Sequence, residues 1–182
     1  MENPIIVITL EDERKITLEL YPDIAPISVE NFLKLVDDKY FDGVVFHRII
    51  EGFMIQTGGY KIEDNTLTEL PETKAIKGEF ASNGFEQNTL KHELGVISMA
   101  RTGVKDSATS QFFICAATCP WLDGEYAAFG KVIDGMDNIK YIVANEPVAN
   151  AQSGQLANNL TIKKAIVDLK GKTYKEVEKV TE

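Results

Sequence analysis

Phe46-His47-Arg48-Ile49-Ile50-Glu51-Gly52-Phe53-Met54-Ile55-Gln56-Thr57-Gly58-Gly59 is the stretch on which the reading of this chain turns. Most of it alternates like a β-strand, yet its polar residues are not those of an ordinary wet face. Arg48 is flanked by Phe46, Ile49 and Ile50, with Phe53, Met54 and Ile55 just beyond. A guanidinium in such company either reaches solvent along its own stem or lines an apolar cleft. The strand period of two puts Met54 and Gln56 on one face and turns His47 away from Arg48. Gly52 and the pair Gly58-Gly59 punctuate the run. Arg, Phe, Met and Gln together describe a surface that is half apolar and half hydrogen-bond donor. Taken alone, the same letters also fit a core strand whose Arg has found a carboxylate.

Composition narrows the classes. The 182 residues suit one domain with a core of its own. A hydrophobic share of 44% and a charged share of 26% are those of a soluble globular protein. A net charge of -9 argues against sequence-independent binding of nucleic acid, which needs Lys and Arg on phosphates. It equally disfavours an anionic membrane surface. Met1 to Pro4 lacks a basic start, and the apolar run Ile5 to Leu10 is cut short by Glu11-Asp12-Glu13. No signal peptide is read there, and a cytoplasmic location is expected. The two cysteines, Cys115 and Cys119, are then expected to be reduced. Without companion ligands at metal spacing they make a poor zinc site and read as a buried strand thiol and a loop thiol. No metal or other cofactor is expected.

Along the chain, Ile5 to Leu10 and Lys15 to Leu20 read as strands joined by a polar turn. Ser28 to Lys39 reads as helix, with Val29, Phe32, Leu33 and Val36 forming one apolar stripe. Either Ser28 caps it or Pro26 opens its first turn. Tyr60 to Leu94 is irregular, and Ala75 to Phe80 is its best strand candidate. Val96 to Ala100, Gln111 to Ala116 and Tyr126 to Ile133 are further strands, with a loop over Arg101 to Ser110. Met136 to Val143 has helical spacing, and Thr161 to Asp168 is a last strand. Many short strands with two helices suggest an all-β barrel or sandwich. The expected division is a domain over residues 1–170 and a charged tail over 171–182.

Four motifs follow the opening stretch in order: Gly95 to Gly103 (GVISMARTG), Ser110 to Ile114 (SQFFI), Trp121 to Gly124 (WLDG) and Phe129 to Val132 (FGKV). With it they closely resemble the cyclophilin family of peptidyl-prolyl cis-trans isomerases, over about Ile5 to Asp168. The resemblance implies an eight-stranded antiparallel closed barrel capped by two helices, with a packed interior and a ligand groove outside. It implies a monomer acting on proline-containing peptides and on unfolded or flexible chains, with cyclosporin as a further ligand.

The resemblance also assigns roles. Arg48 is the candidate catalytic donor. The proline ring is expected against Phe53, Met54, Phe113 and Leu122. Gln56 is expected to hold the arginine and touch the substrate backbone, and Gln111 to form a further wall. Ala100, Arg101 and Thr102 match the strip along which the peptide runs, largely through main-chain hydrogen bonds. Trp121 matches the position linked to cyclosporin. Tyr126 stands where many members carry His, and Arg101-Thr102 replaces a smaller pair, as in bacterial members. Glu79 and Phe80 are expected to flank the groove, with Phe80 and Thr102 narrowing it. Phe112 is expected in the core, since it alternates with Phe113. His47 is read as structural, and His92 shows no partner pattern.

Two readings compete on the same fold. One is an isomerase; the other is a non-catalytic chaperone or scaffold that holds Pro-containing peptides. The retained set Arg48, Phe53, Met54, Gln56 and Phe113 favours the first. A barrel carrying a small molecule inside finds little support in the packed alternation of Val, Ile and Phe.

Overall fold

Alternation builds the sheet. In β1 (Ile5–Leu10) and β2 (Lys15–Leu20), Ile6, Ile8, Leu10, Ile16, Leu18 and Leu20 are all fully buried. The antiparallel register sets Ile6 against Leu18 and Ile8 against Ile16, so one face of the ribbon is wholly apolar. These strands belong to a computed structural model of the protein, which describes residues 3–63, 66–71, 73–145 and 161–168. The tail expected over 171–182 lies outside the described residues.

The remaining elements are α1 (Pro26–Asp37), β3 (Arg48–Ile50), β4 (Met54–Thr57), β5 (Tyr60–Glu63), β6 (Thr66–Glu69), β7 (Val96–Met99), β8 (Phe112–Cys115), β9 (Ala128–Asp134), α2 (Met136–Asn145) and β10 (Ile162–Asp168). Eight strands form one antiparallel sheet in the order β10-β1-β2-β9-β7-β8-β4-β3, and β5 with β6 forms a separate hairpin. The sheet curls until its ends meet just ahead of β3. There Val45 bridges Thr161, the Gly43 N–H donates to the Ile162 carbonyl and the Ile162 N–H to the Val44 carbonyl, both at 2.7 Å. These contacts tie the start of β10 to the segment ahead of β3, while β3 and β10 remain the end strands of a strongly curled sheet. The interior is packed: Phe32 of α1 is met by the rings of Phe41, Phe112 and Phe129, at centroid distances of 5.2, 5.0 and 5.4 Å. Ile139 and Ile142 of α2 join the same cluster.

Two local expectations need correction, and of the two openings expected for α1 the one with Pro26 in the first turn is observed. The segment Phe46 to Gly59 is a hairpin of two short strands, turning at Gly52 with a positive φ of 76°. Ala75 to Phe80 is not a strand; it contributes one bridge, Ile76 to Ala108, and among the described residues the strands of that region are β5 and β6 instead. Ser28 is not the cap of α1. Pro26 occupies the first turn, and Ala25 at the cap position offers no side-chain acceptor. The acceptor comes from Glu79, whose carboxylate takes the Ile27 N–H at 3.1 Å, the Ser28 N–H at 2.6 Å and the Ser28 hydroxyl at 2.7 Å. Free N–H groups and the positive end of the helix dipole both favour an anion there. Glu79 is therefore fully buried and does not flank a groove. Burial nevertheless pushes its carboxyl above the ordinary value, against the pull of its Ser28 and Ile27 donors.

His47 gives the fold an acid limit. Its ring is buried and lies 4.5 Å from that of Tyr60. Burial first, and then the charge of Arg48, lowers its pKa from 6.5 to about 4. The unfolded chain takes up this proton at a pH where the folded chain does not. The stability is thus fully present above pH 6.5 and is lost as the pH falls toward 4, by roughly 2–4 kcal/mol. His47→Phe keeps a ring beside Tyr60 and removes the titration. Urea unfolding at pH 7 and pH 4.5 should show a smaller acid loss in the variant; an unchanged loss would place the acid sensitivity elsewhere.

Candidate active site

Strand register assembles the site. Arg48 on β3 pairs with Gln56 on β4, Gln56 with Phe113 on β8, and Phe113 with Ser98 on β7. Residues directly opposite across strands share a face of the sheet. Phe112 and Ile114 point into the main core, while Phe113 and Cys115 join a second, smaller apolar cluster with Met54, Leu122 and Ala128. The row from Arg48 to Phe113 therefore lies on the outside of the barrel, backed by its own patch of core.

A cavity of about 130 Å³ opens over this patch. Its apolar lining is Phe53, Met54, Phe113 and Leu122, with Ala100 and Tyr126 beside them; Arg48, Gln56 and Arg101 supply the polar rim. The volume is close to the ~150 Å³ of a protein cavity that admits benzene, so a single small ring is the scale of occupant. Arg48 is exposed, and its Nη1 donates to the Gln56 Oε1 at 3.3 Å. Gln56 Nε2 in turn donates to the Gln111 Oε1 at 2.8 Å. Gly58-Gly59 makes room for this relay: at Gly58, with a φ of 104°, a side chain would meet the Ser110 carbonyl, and at Gly59 the Gln111 side chain. Two glutamines thus tether the guanidinium to the pocket rim.

The structure brings nine of the twelve expected site residues into this cavity. Thr102 and Gln111 line an adjoining cavity of about 400 Å³, shared with Gln56, Ala100 and Arg101. Trp121 lines neither; it is 61% exposed and packs on Phe53 with ring centroids 5.7 Å apart. In the expected peptide strip, the Ala100 N–H already donates to the Gln111 carbonyl and the Thr102 N–H to the Ser107 Oγ, both at 3.0 Å. Phe80 is fully buried and lines neither cavity, so it does not narrow the groove as expected.

Sequence reasoning missed the layer beneath Phe113. His92 is fully buried and stacks on that ring, 6.0 Å between centroids and 18° between planes. Its backbone N–H donates to the Asp123 Oδ1 at 2.6 Å, and the same oxygen lies 3.1 Å from the ring Nδ1. Nε2 stands 2.9 Å from the Ser98 Oγ. Burial lowers the pKa of His92, while the bond and charge of Asp123 raise it, and burial dominates. The neutral ring then carries its proton on Nδ1, facing the carboxylate, and Nε2 accepts from Ser98. The order Ser-His-Asp is that of a hydrolase triad, but Ser98 is fully buried and lines neither cavity. It supports Phe113 and has no access to a substrate. The available signal was Ser98 itself, a polar residue inside the apolar strand Val96 to Met99.

Cys115 and Cys119 are both buried and free, one on β8 and one in the following loop. Burial pushes both thiols above their ordinary pKa. Among the described residues no group of three or more His, Cys, Asp or Glu is placed to hold a metal ion. Nor, among them, is any helix long and apolar enough to cross a membrane.

Known proteins are similar to this chain in sequence and in fold. The family described as cyclophilin type peptidyl-prolyl cis-trans isomerase/CLD matches residues 5–167. A peptidyl-prolyl cis-trans isomerase of Acinetobacter baylyi is 45% identical over 139 residues, covering 74% of this chain and 69% of that protein. Peptidyl-prolyl cis-trans isomerase B of Bacillus subtilis is 44% identical over 131 residues, covering 72% and 85%. The crystal structure of a Cryptosporidium parvum cyclophilin type isomerase in the presence of the dipeptide Ala-Pro superposes with a TM-score of 0.71. That match has 27% identity and covers 90% of this chain and 98% of the other. The chain belongs to the cyclophilin-type peptidyl-prolyl cis-trans isomerases.

Proposed function

We propose that this chain accelerates the isomerisation of X-Pro bonds in peptides and in folding or flexible proteins, with Arg48 as the catalytic residue. An X-Pro bond prefers trans by only ~0.5–1 kcal/mol. The barrier between isomers is ~18–20 kcal/mol, because resonance gives the C–N bond double-bond character. Lowering it needs no nucleophile. It needs a site complementary to the twisted amide rather than to either planar isomer. On twisting, the nitrogen lone pair leaves the carbonyl and becomes able to accept a hydrogen bond. A fixed guanidinium beside the prolyl ring stabilises that state selectively, since Arg stays protonated and holds its donors in a rigid fork. The twisted amide is also less polar, which suits an apolar pocket.

The observation that carries this reading is the placement of Arg48: tethered through Gln56 to Gln111, at the rim of a ring-sized cavity walled by Phe53, Met54, Phe113 and Leu122. The test is cis/trans exchange in an X-Pro peptide, followed by NMR without a coupled protease. Catalytic amounts of the protein should broaden and merge the two sets of signals; unchanged exchange would overturn the proposal. Cyclosporin added to the same sample should restore slow exchange, through Trp121 exposed beside Phe53. Trp121→Phe keeps the ring and removes the indole donor, so it should weaken the inhibitor by ~0.5–1.5 kcal/mol. Equal inhibition of both proteins would remove Trp121 from the site.

A further inference from the structure

Arg101 looks like a rim residue that would read the charge of a substrate, but its surroundings say otherwise. Its Nε and Nη2 both donate to the Glu125 carbonyl, at 3.1 and 2.7 Å, and its Nη1 donates to the Thr102 carbonyl at 2.9 Å. Three of its five N–H donors are thus engaged within the protein. The guanidinium carbon also lies 4.8 Å from the centre of the Phe80 ring and 4.6 Å from that of Tyr126. A planar cation over aromatic faces is held by the ring quadrupole as well as by dispersion. The Tyr126 ring in turn meets Phe113 edge-on, 5.9 Å between centroids and 83° between planes. Phe113 rests on His92. The side chains form one continuous column from buried Phe80, through Arg101 and Tyr126, to the floor of the cavity.

We propose that Arg101 is a positioning residue, which holds the Tyr126 ring, and through it Phe113, as the standing wall of the proline pocket. This rests on the reading that the pocket seats a prolyl ring. It gives the buried Phe80 a role that does not require it to face the groove. It also explains why a Tyr serves at 126. A ring is what a guanidinium can stack upon, and it presents an edge to Phe113 at the same time. Lysine at 101 would keep the charge but lose the plane and the fork.

The test uses the full chain carrying Arg101→Lys or Arg101→Met. Isomerisation is measured by NMR exchange on three peptides that differ only in having Glu, Ala or Lys beside the X-Pro pair. Ring resonances of Tyr126 and Phe113 are recorded without peptide. Both variants should lose about tenfold in kcat/KM, equivalent to ~1.4 kcal/mol, by the same factor for all three peptides. Both rings should shift in the peptide-free protein. In a Tyr126→Ala background, Arg101→Lys should change the rate by less than about twofold, because its effect has already been removed. A loss that follows the charge of the peptide would make Arg101 a substrate contact and overturn the proposal. So would unmoved rings, or a full tenfold loss in the Tyr126→Ala background. The ring measurement needs no activity, so a wild type that fails to isomerise would count against the pocket reading and leave the column itself still testable.

Discussion

Replacing Arg48 by Ala is expected to lower isomerisation by about 10²–10³-fold, the usual cost of removing one preorganised donor from a developing charge or lone pair. The proposed hydrogen bond forms only when the amide is twisted, so the planar isomers should bind the variant nearly as well as wild type. A loss confined to turnover is the mark of an interaction made in the transition state. Arg48→Lys should recover little, because a flexible point charge cannot reproduce a planar fork. The stability cost should be small, since Arg48 is exposed and its partner Gln56 keeps its bond to Gln111. The measurement is Pro-limited refolding of a test protein alongside peptide affinity. If the variant speeds refolding as well as wild type does, Arg48 is not the donor. The non-catalytic peptide-holding reading would then be preferred.

The parts of the fold legible in the sequence are those with one wet face and one dry face. In β2 the dry set Ile16, Leu18 and Leu20 alternates cleanly with Lys15, Thr17 and Glu19. In α1 the residues Val29, Phe32, Leu33 and Val36 form a stripe, and all four are buried. The hairpin of β5 and β6 escaped notice for the opposite reason. It lies outside the main sheet, and Tyr60, Lys61 and Ile62 are all half-exposed, so no period of two develops. Glu79 escaped because its partners, Ile27 and Ser28, lie 52 and 51 residues away, and nothing local marks a carboxylate as a distant helix cap. The pocket residues were found by their motifs, whereas the groups that hold them were not. His92 meets Asp123 across 31 residues, and Arg101 meets Glu125 across 24. Such supports depend on the pairing of β7 with β8 and β9, which brings distant segments together, and no short window of sequence contains both partners.

Phe113 is where support and pocket coincide, and Phe113→Ala should therefore damage both. The ring is 5% exposed, with His92 stacked on one side and the edge of Tyr126 on another. Truncation of a buried Phe typically costs ~3–5 kcal/mol, and the open side of this pocket, which water can refill, places the expected stability loss near ~3 kcal/mol. The same truncation removes apolar wall from the proline pocket. With only 5% of the ring uncovered before peptide binds, the contact forfeited is small, and at ~25 cal/mol per Å² on both partners it is worth about 1 kcal/mol, or roughly fivefold in peptide affinity. Unlike Arg48→Ala, the variant should bind peptide more weakly as well as turn it over slowly. Water reaching the uncovered face of His92 should also relieve the burial that lowers its pKa, so its ring should titrate at higher pH. Phe113→Leu refills much of the volume and should recover part of the affinity and most of the stability. Isothermal titration with a proline peptide, below the melting temperature of the variant, checks the first effect, and NMR titration of His92 checks the last. If Phe113→Ala binds peptide as tightly as wild type, the prolyl ring does not sit in this pocket, and the place assigned to Arg48 falls with it.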